Sequence, residues 1–239
     1  MSGHSKWATI KRAKGAADLK RGLTFTKLSN AITIAVKSSG GITDPNSNFK
    51  LRLAIEEARA SNMPKDNIER AIQKAVGKDA QSLEEVIYEG FAPEGIAVIV
   101  EAATDNSLRT TSEIKSIFNK EGGNFGKIGS VAYLFSQIGE IVISKEGKTL
   151  DGVFDAAAQS GAEDVVEEED GFVVYTALAD LRRISEVLKE KGLTVISAGL
   201  IRKPLTPMTL SPQKKDRVIN FLQKLERLDD VQKVYSNLV

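Results

Sequence analysis

The spacing of apolar residues changes near residue 80, and this change limits the folds that the chain can adopt. Before it, apolar side chains recur every three or four residues, as Phe25, Leu28, Ile32 and Val36 do, which is the period of an α-helix. After it, segments such as GIAVIVEAA form short apolar runs that are typical of buried β-strands. The sequence therefore predicts an N-terminal helical part followed by mixed helices and strands.

The N-terminal part, residues 1–78, is predicted to be a three-helix domain. A second helix has Leu51, Ile55 and Ala58 on one side. The Asn-Met-Pro sequence that follows ends this helix and starts a third, since proline is favoured in a first turn. The segment GKDAQ, residues 77–81, is the expected linker to the rest of the chain.

The remaining part predicts two α+β units, one inserted into the other. Residues 137–203 follow the order strand, helix, strand, strand, helix, strand, which is the ferredoxin-like order. Residues 82–136 contain strands and one helix, and residues 204–239 add a helix and a strand that cannot hold a core alone. The predicted fold class is α+β: an N-terminal three-helix domain followed by two ferredoxin-like α/β sandwich domains, the third inserted into the second.

The charge of the chain is distributed unevenly. Residues 1–78 contain 15 Lys and Arg against 6 Asp and Glu, a net charge of +9. The other residues contain 18 against 26, a net charge of −8. A basic segment joined to an acidic remainder predicts a polyanionic partner for the basic part.

The opening segment, MSGHSKWATIKRAKG, contains the only histidine and the only tryptophan. Lysine and arginine neutralise phosphates and an indole ring stacks on unpaired bases; alternatively, the cations form a solvated helix face and Trp7 covers the core of the helical domain. The first 27 residues contain seven cations and only one acidic residue, Asp18, which favours phosphate binding as the role of these cations. For Trp7, base stacking and covering of the core remain equal alternatives. The predicted nucleic-acid-binding residues are His4, Lys6, Trp7, Lys11, Arg12, Lys14, Lys20, Arg21, Lys27 and, at the start of the third helix, Lys65.

Other segments that resemble ligand sites have simpler explanations. The segment KEGGNFGKIGS, residues 120–130, matches neither glycine-rich nucleotide motif and is expected to form a turn with positive φ. The acidic run from Glu163 to Asp170 alternates with valines, as an exposed hairpin edge does, and Asp66 with Arg70 is a predicted intrahelical pair. The chain has no cysteine, and its one histidine lies in the opening segment. We therefore expect no enzymatic activity, no cofactor and no metal.

The sequence predicts neither a membrane span nor a secretion signal. No run approaches the roughly 18 apolar residues that a transmembrane helix needs, and the N-terminus lacks the pattern of a signal peptide. We therefore expect a cytoplasmic protein that does not bind membranes. We also expect a monomer.

Four segments of the chain have a distinctive sequence: GHSKWATIKRAKGAADLKRGLTFTKL, LRLAIEEARASNMPKDNIERAI, YEGFAPEGIAVIVEAATDN and GGNFGKIGSVAYLF. They closely resemble the YebC family of probable transcriptional regulatory proteins, whose mitochondrial relatives are described as translational activators. The resemblance runs over nearly the whole chain. It implies three domains, the first helical and the third inserted into the second, and a regulatory protein without enzymatic activity.

The predicted function is a regulatory factor that binds DNA through its basic N-terminal domain. One alternative is a ribosome-associated factor that binds ribosomal RNA and helps translation through proline-rich stretches, as some family members are described. The acidic remainder and the lack of a paired helix-turn-helix pattern favour this alternative, whereas the common family description favours DNA. A second alternative is an adaptor that binds another protein through its two α+β units, with a basic opening segment that only adds solubility.

Overall fold

The computed structural model describes residues 19–77, 83–169 and 171–239, and within these residues helices come first and strands follow. No helix in these three ranges is both long and apolar enough to cross a membrane. The helices are α1 (Leu19–Ser38), α2 (Phe49–Ala60), α3 (Lys65–Val76), α4 (Ser107–Glu121), α5 (Leu150–Ser160), α6 (Leu181–Glu190) and α7 (Pro212–Glu226). The strands are β1 (Glu84–Phe91), β2 (Ala97–Thr104), β3 (Asn124–Phe125), β4 (Phe135–Ser144), β5 (Asp164–Glu168), β6 (Gly171–Thr176), β7 (Val195–Pro204) and β8 (Val231–Ser236).

The first three helices share one apolar core. Helix α1 packs against both α2 and α3, and Ile32, Leu51 and Ile68 contribute one buried side chain from each helix. These residues belong to the three-to-four-residue pattern of the sequence, which is why each helix buries one side. The predicted N-terminal helices are therefore confirmed.

The side chain of Asn48 connects the end of α1 to the start of α2. Its Oδ1 accepts a hydrogen bond from the N–H of Leu51 at 3.1 Å, which caps α2. The two N–H groups of its Nδ2 share three acceptors within hydrogen-bond distance, namely the carbonyl oxygens of Ala35 and Ile42 and the hydroxyl of Ser39. One buried amide thus satisfies polar groups from both sides of the connection.

The first sheet has the antiparallel strand order β3-β1-β2-β8. Its last strand comes from the C-terminus, where Ser236 pairs with Val98 of β2. Helices α4 and α7 share the apolar core of this sheet, and the rings of Phe118 and Phe221 meet edge to face at 5.0 Å. The C-terminal helix and strand therefore complete the core and the sheet of a unit whose first strand begins at Glu84, as the sequence predicts for a domain with an insertion.

The second sheet has the order β5-β6-β4-β7, the ferredoxin-like order. Helices α5 and α6 pack against each other. Strand β5 lies at the edge and carries part of the acidic run, where Glu167 pairs with Lys145 at 2.8 Å. The first sheet has a different order because only a short turn, Pro93–Gly95, joins β1 to β2, so these two strands pair directly.

The glycine-rich segment after α4 forms the predicted helix-to-strand turn. Gly122 ends α4 in the left-handed region with φ of 81°, which a residue without Cβ adopts readily. The apolar segment that follows is not extended throughout: Ala132–Leu134 form a short 3-10 turn, and β4 begins only at Phe135.

The carboxylate of Glu89 explains why the segment before β4 does not continue as a strand of the first sheet. It is buried in β1 and accepts hydrogen bonds from the main-chain N–H groups of Gly129, Val131 and Ala132 at 2.8, 2.8 and 2.9 Å. The N–H of Gly126 also donates to the carbonyl of Glu89 at 2.9 Å. Because these N–H groups bind one carboxylate, they are not available for a strand ladder.

The chain forms two compact units. One contains the described residues up to Ser136 together with Lys203–Val239, and the other contains Gln137–Arg202. The chain leaves and re-enters the first unit at adjacent points, since the Oγ of Ser136 lies 3.4 Å from the carbonyl oxygen of Lys203. The further division of the first unit into a helical domain, residues 1–78, and a sheet domain stays a prediction.

Candidate nucleic-acid interface

Most of the predicted binding residues lie outside the described part of the chain. The side chains of Lys20 and Arg21 are also outside it, although both residues belong to the first turn of α1. Lys27 and Lys65 are described. The predicted residues whose structure is not described at all are His4, Lys6, Trp7, Lys11, Arg12 and Lys14.

Helix α1 is basic along its whole length and is fixed to other elements through its lysines. Its 20 residues, LKRGLTFTKLSNAITIAVKS, include no Asp or Glu. The ammonium group of Lys27 donates to the carbonyl oxygen of Glu226 at the end of α7, and that of Lys37 donates to the carbonyl oxygen of Leu83 before β1. Carbonyl groups at the end of a helix attract cations, so Lys27 attaches α1 to the C-terminal end of α7.

Lys65 is more accessible than Lys27. Its side chain is 84% exposed at the start of α3 and lies 3.4 Å from the carboxylate of Glu69. Exposed pairs of this kind are weak, so the ammonium group of Lys65 is accessible to an anionic partner.

A polar cleft of about 490 Å³ lies between the helices α1 and α3 and the first sheet with its connections. One wall combines hydroxyl and amide groups of α1 with the cations of α3. The other wall consists of the connection between β2 and α4, the first turn of α4 and the connection between α7 and β8. The polar residues that line it are Thr26, Ser29, Asn30, Thr33, Asn67, Arg70, Lys74, Asp105, Arg109, Asp229 and Asp230.

The helical wall of the cleft corrects one prediction. The guanidinium group of Arg70 donates to Oδ1 of Asn67 at 2.7 Å and to the main-chain carbonyl of Asp66 at 3.2 Å. The predicted pair with the carboxylate of Asp66 is therefore wrong. Asn67 is three residues from Arg70 on the same side of the helix, a spacing that also allows a direct side-chain contact.

The opposite wall is built around the carboxylate of Asp230, whose side chain is 14% exposed. It accepts hydrogen bonds from Nη2 of Arg109 at 2.8 Å, from the hydroxyl of Thr110 at 2.5 Å and from that of Thr104 at 3.1 Å. Partial burial alone raises the pKa of Asp230, but the hydrogen bonds from Arg109, Thr110 and Thr104 outweigh it and hold this pKa below its ordinary value. The network fixes the start of β8 to the start of α4.

Arg109 is held by two carboxylates at once. Besides Asp230, it contacts Oδ1 of Asp105 at 2.9 Å. Hydrogen bonds to Asp230 and then to Asp105 raise the pKa of Arg109 above its already high value. Because the wall of Arg109 also carries three carboxylates, the cleft has both signs of charge and is not a uniform phosphate-binding groove.

Sequence reasoning did not find this cleft. Asp230 lies more than 100 residues from Arg109, and only the return of the C-terminus to the first sheet brings them together. Asn106, just after the end of β2, caps α4 because its Oδ1 accepts a hydrogen bond from the N–H of Arg109. Among the described residues, no group of three or more His, Asp or Glu is placed to hold a metal ion.

Two matches place the chain in a family. Residues 5–78 match the family model described as the TACO1/YebC protein N-terminal domain. Residues 83–238 match the model described as the TACO1/YebC second and third domain. The chain belongs to the TACO1/YebC family. The resemblance inferred from the sequence motifs is thus confirmed.

Relatives of this chain are similar to it over nearly their whole length. A protein from Treponema denticola is 48% identical over 100% of this chain and 96% of its own length. One from Geobacter sulfurreducens is 46% identical over 99% and 95%. Both are named probable transcriptional regulatory protein. The crystal structure of a conserved hypothetical protein from Aquifex aeolicus is 40% identical, covers 98% of this chain and 97% of that chain, and has a TM-score of 0.89.

Proposed function

We propose that this TACO1/YebC protein is a non-enzymatic transcriptional regulator that binds DNA through its basic N-terminal segment. The observation that carries the proposal is the charge of residues 1–27, where seven cations accompany one acidic residue. Lysine and arginine at this density neutralise phosphates and release counterions, which supplies most of the affinity for nucleic acid. The cations are Lys6, Lys11, Arg12, Lys14, Lys20, Arg21 and Lys27.

Two further observations support the proposal. Helix α1 continues the basic segment without an acidic residue, and its apolar side is buried against α2 and α3. The basic segment therefore leads into a helix with a defined position in the first unit. The relatives from Treponema denticola and Geobacter sulfurreducens are named probable transcriptional regulatory protein.

The proposal assigns different roles to the residues of the opening segment. The lysines and arginines bind phosphates, which positions the protein without reading sequence. Trp7 stacks on a base or inserts between bases, and His4 adds a hydrogen bond. Lys65 adds a phosphate contact from the start of α3.

The salt dependence of DNA binding tests the electrostatic part of the proposal. If about six cations contact phosphates, the logarithm of the association constant falls with the logarithm of salt concentration at a slope of about −5 on duplex DNA and about −4 on single strands. The combined change of Lys11, Arg12 and Lys14 to alanine is expected to flatten the slope by about two to three units. A matched control removes Lys148, Lys189 and Lys191, three exposed cations of the other unit, and keeps the wild-type slope. A wild-type slope near zero contradicts the proposal.

Ribosomal RNA is the alternative polyanion, and crosslinking in cells separates it from DNA. The protein is crosslinked and purified, and both the DNA and the RNA that it carries are sequenced. The proposal expects enrichment of promoter DNA that the Lys11, Arg12 and Lys14 variant loses. Enrichment of ribosomal RNA over promoters identifies a translation factor instead.

Removal of residues 1–14 separates a nucleic-acid-binding protein from a protein-interaction adaptor. This truncation removes four of the seven cations together with Trp7. A nucleic-acid-binding protein is expected to lose its partner, whereas an adaptor keeps it. The measurement is recovery of the crosslinked partner with the truncated protein and with the full chain.

A further inference from the structure

Helix α7 carries a row of exposed cations within the part of the chain that is acidic overall. Lys214, Arg217, Lys224 and Arg227 are exposed, and Asn220 fills the gap between them. Steps of three or four residues place all five on one side of the helix. At 1.5 Å per residue this row is about 20 Å long. These five residues are called the α7 stripe below.

A groove runs beside the α7 stripe, between α7 and the C-terminal end of α4. Its volume is about 340 Å³. The groove is lined by amide and cationic side chains and by one carboxylate, a composition suited to an anion that accepts several hydrogen bonds. The lining residues are Glu121, Arg217, Asn220, Gln223, Lys224 and Arg227.

The cations of the α7 stripe outnumber their carboxylate partners. Glu94 lies 2.7 Å from Lys214 and 3.9 Å from Arg217. Glu121 lies 2.6 Å from Lys224. No described residue pairs with the guanidinium group of Arg227. Four cations of the stripe therefore meet two carboxylates, and Arg227, directly after the C-terminal end of α7, pairs with neither of them.

The same end of α7 is where the basic helix α1 is attached. Lys27 donates to the carbonyl of Glu226, and Arg227 is the next residue. Lys20 and Arg21 precede Lys27 by six or seven residues of the same helix, about 10 Å of helix length. Lys27, the last cation of the basic segment, therefore lies beside the C-terminal end of the α7 stripe.

We propose that the α7 stripe is a second binding surface for the phosphodiester backbone of duplex DNA, continuous with the basic N-terminal segment. This inference rests on the proposed function, because it assigns the same nucleic acid to a second part of the molecule. Arg217 and Arg227 offer paired N–H donors that match two phosphate oxygens, and Lys224 adds a point charge. The amide of Asn220 donates a further hydrogen bond to the backbone. Such contacts fix the path of the DNA and do not read its sequence.

The test compares full-length variants on a labelled DNA duplex of about 30 base pairs. The main variant changes Arg217, Lys224 and Arg227 to alanine, and fluorescence anisotropy follows binding from about 50 to about 200 mM salt. Loss of three phosphate contacts flattens the logarithmic salt slope by about 2.7. Over this range of salt, the wild type therefore loses about 40-fold more affinity than the variant. The control that removes Lys148, Lys189 and Lys191 keeps the wild-type slope.

Two further variants keep the test decisive. Exchange of Arg217 and Arg227 for lysine retains the charge and is expected to retain the slope. The single change Arg227→Ala breaks no pair with a described residue and is expected to flatten the salt slope by about 0.9. If the triple variant does not unfold cooperatively in a thermal scan, this single variant provides the test of DNA binding.

The outcomes separate this inference from the proposed function. If Arg227→Ala and the triple variant both keep the wild-type slope while the Lys11, Arg12 and Lys14 variant loses part of it, the α7 stripe does not bind DNA and the proposed function stands. If only the α7 variants have a flatter salt slope than the wild type, the α7 stripe binds DNA and the basic N-terminal segment does not. A loss of slope on single-stranded RNA but not on the duplex overturns the assignment of the stripe to DNA.

Discussion

At the scale of single residues, one buried and one partly buried carboxylate hold segments whose position the sequence alone does not determine. Glu89 binds three main-chain N–H groups of the segment before β4. Asp230 binds Arg109 and two threonine hydroxyls at the start of β8. In both cases one acidic side chain replaces water for several donors, so its removal leaves donors without a partner.

Replacement of Glu89 by alanine is expected to lower the free energy of unfolding by about 3 kcal/mol, because three N–H groups lose their acceptor. Replacement by glutamine is expected to cost less, about 1 to 2 kcal/mol, since one oxygen remains but the amide group faces a donor. Urea denaturation measures both values. Glu85→Gln, an exposed position on the same strand, is the control and stays within about 0.5 kcal/mol of the wild type. An unchanged midpoint in Glu89→Ala contradicts this role.

The lowered pKa of Asp230 predicts a stability that depends on acidity. The folded state binds the proton of Asp230 less readily than the unfolded state, so this stabilisation is complete above the unfolded value of about 3.9 and is lost as pH falls through the lower folded value. Asp230→Asn is expected to lose less unfolding free energy than the wild type between about pH 5 and pH 2. Denaturation at several pH values measures this slope, and Asp229→Asn, an exposed neighbour, is expected to keep the wild-type slope. Identical slopes for wild type and Asp230→Asn rule the effect out.

At the scale of helices and strands, the connections decide how the elements are held. The short turn between β1 and β2 makes these strands neighbours, and Asn48 connects α1 with α2. Helix α7 combines two roles, because one side completes the core of the first sheet and another side carries the α7 stripe.

Asn48→Ala is expected to lower the free energy of unfolding by about 2 to 3 kcal/mol, since it removes a helix cap and both N–H donors of a buried amide. Asn48→Asp keeps the cap oxygen but places a carboxylate near the carbonyl oxygens of Ala35 and Ile42, so it is expected to recover little of the loss. Asn46→Ala, an exposed position in the same connection, changes stability by no more than about 0.5 kcal/mol. Thermal denaturation followed by circular dichroism compares the three, and wild-type stability of Asn48→Asp argues against the donor role.

At the scale of the whole molecule, the chain leaves the first unit and returns to it at adjacent residues. Ser136 and Lys203 are in contact, and the N–H of Leu205 donates to the carbonyl of Leu134 at 2.8 Å. The first unit therefore closes its sheet and core without residues 137–202.

Replacement of residues 137–202 by a short glycine linker is expected to leave the first unit folded, with a loss of no more than about 2 kcal/mol and a fall in Tm of no more than about 8 °C. Removal of residues 231–239 is the contrasting change, because β8 pairs with β2 and contributes the buried side chains of Val231 and Val234. This second variant is expected to lose its cooperative transition. Calorimetry measures both, and loss of cooperativity in the linker variant contradicts the predicted insertion.

The sequence by itself determined the kinds of elements, their order and the family. The period of apolar residues reports which side of an element is buried, and this depends only on local spacing. It therefore predicted the N-terminal helices, the ferredoxin-like order of the insertion and the return of the last helix and strand to the first sheet. The uneven charge likewise needed only the count of residues along the chain.

Only the tertiary structure decided which distant polar groups meet. The pairing of Arg109 with Asp230, the cradle of Glu89 and the attachment of Lys27 to the end of α7 join residues between 40 and 199 positions apart. A carboxylate or ammonium group carries no sequence signal for its partner, because its hydrogen bonds are set by where the packed core brings the backbone. The α7 stripe has the spacing of an exposed helix side, but its continuity with α1 follows from the fold alone.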